Sequence, residues 1–163
     1  MSSFTDPGPR ETRRLQPVHP PATLDAPQPR PRVGAWVWWV LRTVLTLQAL
    51  DAFLQPVLAG RFLSGDFAML ALHRQNGTYV GGLCMAVLVL TFITWGLYHV
   101  PGRIVAGLAT LGPIAGLQIF LGFTRSLGIH IPLGVAFIAL SGWLTFWVWT
   151  HQPAPRLSKR EEA

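Results

Sequence analysis

Two histidines, each followed four residues later by glycine, are the side chains of this chain best suited to chemistry. One lies in Leu72-His73-Arg74-Gln75-Asn76-Gly77, ahead of an apolar run that ends near Tyr98. The other lies in Ile129-His130-Ile131-Pro132-Leu133-Gly134, ahead of a run that ends at Thr150. A neutral imidazole is a metal ligand. Two of them facing one another across a flat space are a common way to hold the iron of a low-spin b-type heme, one nitrogen from each side. On a helix, residue i+4 stands over residue i, so Gly77 and Gly134 would give such a ring clearance. Arg61, Arg74 and Arg125 fall at the same level and are suited to its anionic propionates. The plainer alternative is that both histidines are interfacial and the glycines serve helix packing.

A second group of polar residues lies within the apolar runs. Gln48, Asp51 and Gln55 follow the i, i+3, i+7 spacing of one helical face, and Gln118 is the strongly polar residue of a later run. Asp51 is well inside its run, where an ionisable group should face the bundle interior and be paired or protonated. These residues read as a proton relay, a quinone contact, a second shell to the cofactor, or an interhelical hydrogen-bond cluster. His99 and His151 form a possible second pair at the opposite end. His99 lies 26 residues beyond His73. That separation is about 39 Å of helix, which puts the pair at or beyond the membrane edge.

The elements that must position these groups are membrane spans. Of 163 residues, 50% are hydrophobic and 12% charged, with a mean hydropathy of +0.38. Soluble domains carry about 25% charged residues. Four apolar runs, about 35–58, 78–98, 104–123 and 130–150, are each long enough to cross a hydrocarbon core of about 30 Å. The expected fold is an all-α bundle of four transmembrane helices arranged as two helical hairpins. Pro56 should kink the first span, and a short interfacial helix between 67 and 76 should carry His73 to the membrane surface. Residues 1–33 hold eight prolines and five arginines and read as a disordered tail. Residues 34–151 form the membrane domain, and 152–163 a second tail.

Charge distribution sets the topology. Arg10, Arg13, Arg14, Arg30, Arg32, Arg103, Arg156, Lys159 and Arg160 flank one side, against Arg61, Arg74 and Arg125 on the other. This excess places both termini in the cytoplasm, with the chain multi-pass in the cell membrane. The net charge of +6 is thereby accounted for without nucleic acid. Cys84 is the only cysteine, so no internal disulfide or thiolate cluster forms. No serine elbow, phosphate loop or carboxylate pair is present, and no independent catalytic activity is expected. The first apolar run begins near Ala35 behind a polar tail, which is not the pattern of a cleavable signal peptide.

A weak internal repeat links the two halves. Gln55 and Gly60 lead through a loop to His73-x-x-x-Gly77, and Gln118 and Gly122 lead through a shorter one to His130-x-x-x-Gly134. With histidines on its second and fourth spans, the chain resembles one four-helix half of heme A synthase and, more loosely, other b-type cytochrome bundles. The matching residues are His73, with Arg74 beside it, and His130. The resemblance implies heme ligation near the outer surface. The chain corresponds to a single half and lacks that family's acidic catalytic loop residue. The stretch Gln55-Pro56-Val57-Leu58-Ala59-Gly60-Arg61-Phe62-Leu63-Ser64-Gly65 also resembles uncharacterised small integral membrane proteins of actinobacteria. The reading is therefore a lipid-embedded protein that binds heme b and acts in electron transfer or heme handling, with a redox partner or quinone. The alternatives are a cofactor-free accessory or assembly subunit, and a small transporter centred on Asp51.

Overall fold

The computed structural model describes residues 34–156. The tail expected over residues 1–33 and the last residues, 157–163, lie outside them. The described residues form four α-helices: α1 (Ala35–Leu63), α2 (Met69–Leu97), α3 (Gly102–Phe123) and α4 (Leu127–Thr150). All are long and apolar enough to cross a membrane. The shortest has 22 residues, about 33 Å of helix against a hydrocarbon core of about 30 Å. Each helix packs on its chain neighbours, and α4 closes the ring on α1. Among the described residues the backbones of α2 and α4 do not come close, so the two histidine-bearing helices stand on a diagonal.

Two boundaries differ from the sequence expectation. α1 does not stop near residue 58 but runs through Pro56 to Leu63. The segment expected as a separate interfacial helix is the start of α2, so His73 sits in the second turn of a helix that continues to Leu97. The loop is correspondingly tight. Ser64 N–H donates to Gly60 O at 3.0 Å, and the Arg61 guanidinium pairs with Asp66 at 2.7 Å. The glycines at 77, 81 and 82 do not break α2, because in lipid the only partners for its backbone groups are its own.

The bundle has two unlike halves. At the end where α1 begins and α4 stops, the core is mainly aliphatic: Leu41, Leu45, Val87, Ile104, Leu108, Leu111, Leu144 and Val148 are at most 1% exposed. Toward the interhelical loops the buried apolar side chains include the small Ala52 and Ala115. Amides and imidazoles occupy the space beside them. Outward side chains such as Phe53, Val135 and Phe146 are more than half exposed, as expected of a surface solvated by hydrocarbon. Residues after α4 fold back on the end of α2, where His99 N–H donates to Ala154 O at 2.9 Å and Arg156 Nε to Tyr98 O at 3.1 Å.

Candidate functional site

The site grows from two glutamine–histidine units, one per hairpin. On α1, the backbone carbonyl of Gln55 meets Nδ1 of His73 on α2 at 3.2 Å. On α3, the backbone carbonyl of Gln118 meets Nδ1 of His130 on α4 at 3.0 Å. A carbonyl can only accept, so both rings carry a proton on Nδ1, and in a neutral ring Nε2 is then the atom with the lone pair. No protein partner for either Nε2 lies among the described residues. The rings, on diagonal helices, have centroids 6.3 Å apart and planes at 74°. Anchoring one imidazole nitrogen on a backbone carbonyl is how proteins orient a histidine whose other nitrogen binds metal.

Glycine makes both units possible. A Cβ on Gly77 would stand 3.2 Å from Gln55 Nε2, and one on Gly134 would stand 2.9 Å from Gln118 Nε2. The space at each expected clearance is therefore taken by a glutamine amide. Gln118 Nε2 also donates to His130 O at 3.0 Å, closing a second bond around the same unit. Gly122, four residues past Gln118, lets the His130 ring approach, since a Cβ there would lie 3.3 Å from its Cε1. Gly134→Ala should push the Gln118 amide off His130 and lose about 1 kcal/mol, cancelling the usual glycine-to-alanine gain in a helix. Gly82→Ala, with open space at its Cβ, should keep that gain of about 0.5–1 kcal/mol. Unfolding titrations in mixed detergent compare the two.

Around this centre the other expected residues distribute unevenly. Arg61 is committed to Asp66, and the Arg74 guanidinium lies 5.9 Å over the Phe123 ring. Arg125 occupies a left-handed turn, φ 56°, between α3 and α4. Gln48 is fully buried on α1, and its Nε2 donates to Ser141 on α4 at 3.2 Å. Asn76, also buried, donates to the Asp51 carbonyl at 3.1 Å. Neither Asn76 nor Ser141 stood out in the sequence, since amides near span ends and single hydroxyls within spans are commonplace. At the opposite end, His99 and His151 line one hollow with Pro101, Trp147, Gln152 and Pro153. The His151 ring stacks on Trp147 at 4.7 Å and its Nδ1 meets Trp147 O at 3.1 Å.

Arg42 is the buried charge that the sequence reading passed over. Its guanidinium is buried at the end of α1 that bears the termini, with Nε donating to Val148 O at 3.0 Å and longer contacts to Trp149 O and His151 O. It also lies 5.0–5.7 Å from the rings of Trp38, Trp39 and Trp149. The signal available was an arginine one turn after a tryptophan cluster.

Among the described residues no three of His, Cys, Asp or Glu converge as metal ligands. Compared with protein-family models, curated proteins and solved structures, the chain finds no match in any of the three.

Proposed function

We propose that this four-helix membrane protein holds one b-type heme between His73 and His130 and serves in electron transfer or heme handling. The observation that carries the reading is the twin anchoring of two imidazoles with both Nε2 atoms free. A metal–nitrogen bond is about 2 Å, and a ring nitrogen lies about 1.1 Å from the ring centroid. Two imidazoles on opposite sides of one metal, each nitrogen aimed at it, would thus have centroids about 6.2 Å apart. The observed separation is 6.3 Å. A donor set of two suits a metal whose four remaining positions are filled by its own macrocycle, whereas a structural zinc needs four protein ligands.

The surroundings also suit a flat ligand. Gln55 Oε1 and Gln118 Oε1 are buried without a donor, so the two amides beside the glycines are incompletely satisfied where they lie. Rotating them aside would open the faces of Gly77 and Gly134. Arg74 and Arg125, exposed at the same end, remain available to propionates, whereas Arg61 would first have to leave Asp66. A heme bound there would supply a one-electron couple. The chain's own part would be to orient both rings, with the buried Ala52, Val80, Ala115 and Phe137 keeping water from the core beneath them.

With the start of α1 and the end of α4 at one end of the bundle, and an arginine excess in the sequence flanking them, we infer that the termini are cytoplasmic and His73 and His130 lie at the outer face of the cell membrane. The test is the absorption spectrum of detergent-purified protein, as isolated and after hemin is added. A Soret band that sharpens and shifts on dithionite reduction supports the reading. A preparation that stays colourless and takes up no hemin sinks it.

A further inference from the structure

We propose that Asp51 is a proton-binding site within the bundle, which shares its proton with the amide oxygens of Gln48 and Gln55 and exchanges it toward the His73–His130 end. The inference starts from a local excess of acceptors. Gln48 Oε1, Asp51 Oδ2 and Gln55 Oε1 are all buried and none has a hydrogen-bond donor. Gln48 is 0% exposed and its amide nitrogen is already committed to Ser141. Pro56 adds to the excess, because it has no N–H for the carbonyl of Ala52, itself only 1% exposed.

No positive charge answers Asp51. On α1, Arg42 lies nine residues away, about 13.5 Å along the axis, and is held by the carbonyls at the end of α4. Arg61 is paired with Asp66. On α2 the titratable or charged groups are His73, Arg74, Tyr79 and Cys84. Arg74 is drawn onto Phe123, Tyr79 is largely exposed, and Cys84 is fully buried further in. α3 has no charged residue between Arg103 and Arg125, and α4 offers only His130. An ionised carboxylate among these groups would be an unpaired charge in a hydrocarbon-solvated bundle.

One proton resolves both problems. It removes the charge, and it turns Asp51 into a donor for an amide oxygen at i−3 or i+4, the positions that stand beside it on the helix. A single metal cation does not. Gln48 and Gln55 are seven residues apart, about 10.5 Å along the axis, whereas oxygen ligands sit about 2.3–2.6 Å from a hard cation. The direction of exchange follows from the two halves of the core. Beyond Gln48 lie Leu41, Leu45, Val87, Leu108, Leu144 and Val148, and the buried hydroxyls there, Thr91 and Thr94, are already spent on carbonyls of their own helix. On the other side lie the unpartnered Gln55 amide oxygen and, held on the backbone carbonyl of the same residue, the His73 ring.

Infrared spectroscopy of the full chain in liposomes tests this without reference to any bound heme. At neutral pH the spectrum should contain a carboxylic-acid C=O band that shifts in deuterated water, disappears in Asp51→Asn, and returns displaced in Asp51→Glu. Gln55→Leu should slow deuterium exchange of that band by about tenfold, the rate equivalent of one lost hydrogen bond, while Ser141→Ala leaves it unchanged. A carboxylate stretch at neutral pH that is removed by Asp51→Asn would overturn the proposal, as would a band whose position depends on sodium or potassium. Equal exchange rates in wild type and Gln55→Leu would overturn the assigned direction. A protein that never binds heme but shows the band would leave this inference standing and end only the preceding one.

Discussion

His73→Ala and His130→Ala should each abolish the reducible low-spin spectrum and weaken hemin binding by at least about a hundredfold, the upper range seen when only a ligand's supporting partner is lost. The two effects should be nearly equal, because the two rings are anchored alike, by Gln55 O at 3.2 Å and Gln118 O at 3.0 Å. The double variant should be little worse than either single one, since a six-coordinate site needs both donors at once. Adding free imidazole should restore the low-spin band in each single variant by filling the vacated space, a rescue that no merely structural histidine would show. His99→Ala and His151→Ala should leave the spectrum intact, because the His151 Nδ1 is already engaged by Trp147 O and the ring lies flat on the Trp147 indole. Reduced-minus-oxidised difference spectra and hemin titrations read all of these outcomes. Equal loss in the His99 variant, or retention in both His73 and His130 variants, would move the site or remove it.

How much of this was legible in the chain varies with the kind of interaction. The number and type of the spans were, because runs of about twenty apolar residues have few alternatives in lipid. The diagonal placement of the histidine helices was also readable, since two hairpins with short loops close into a ring. The glutamine–histidine repeat pointed to two like units. What it did not reveal is that the glutamines act through backbone carbonyls, which every residue possesses and which therefore leave no trace in residue type. Nor did it reveal that the amides fill the faces of Gly77 and Gly134. A missing side chain is visible in sequence, but what occupies the gap is not. The start of α2 was misjudged for a related reason. Polar residues between Met69 and Gly77 look like an interfacial piece, yet nothing there interrupts the helix.

Arg42 is the clearest case of tertiary structure explaining what local reading could not, and its removal should have the largest effect on stability. An arginine inside an apolar run reads as a liability until its partners are known, and those partners lie 106 to 109 residues later. The last carbonyls of α4 have no helical donor of their own, and they form the negative end of its dipole. The Arg42 guanidinium answers both and is enclosed by Trp38, Trp39 and Trp149. It therefore ties the first helix to the last, closing the ring at the termini end. Arg42→Ala should destabilise the bundle by about 2–4 kcal/mol, the sum expected of a charge-assisted hydrogen bond and a desolvated cation–π contact. Arg42→Lys should recover less than half of that, because an ammonium lacks the planar fork that reaches several carbonyls while stacking on indole. Unfolding titrations in mixed detergent give the free energies, and tryptophan fluorescence reports the opening of the cluster directly. A lysine variant as stable as wild type would show that the charge alone matters and that the enclosing rings contribute little.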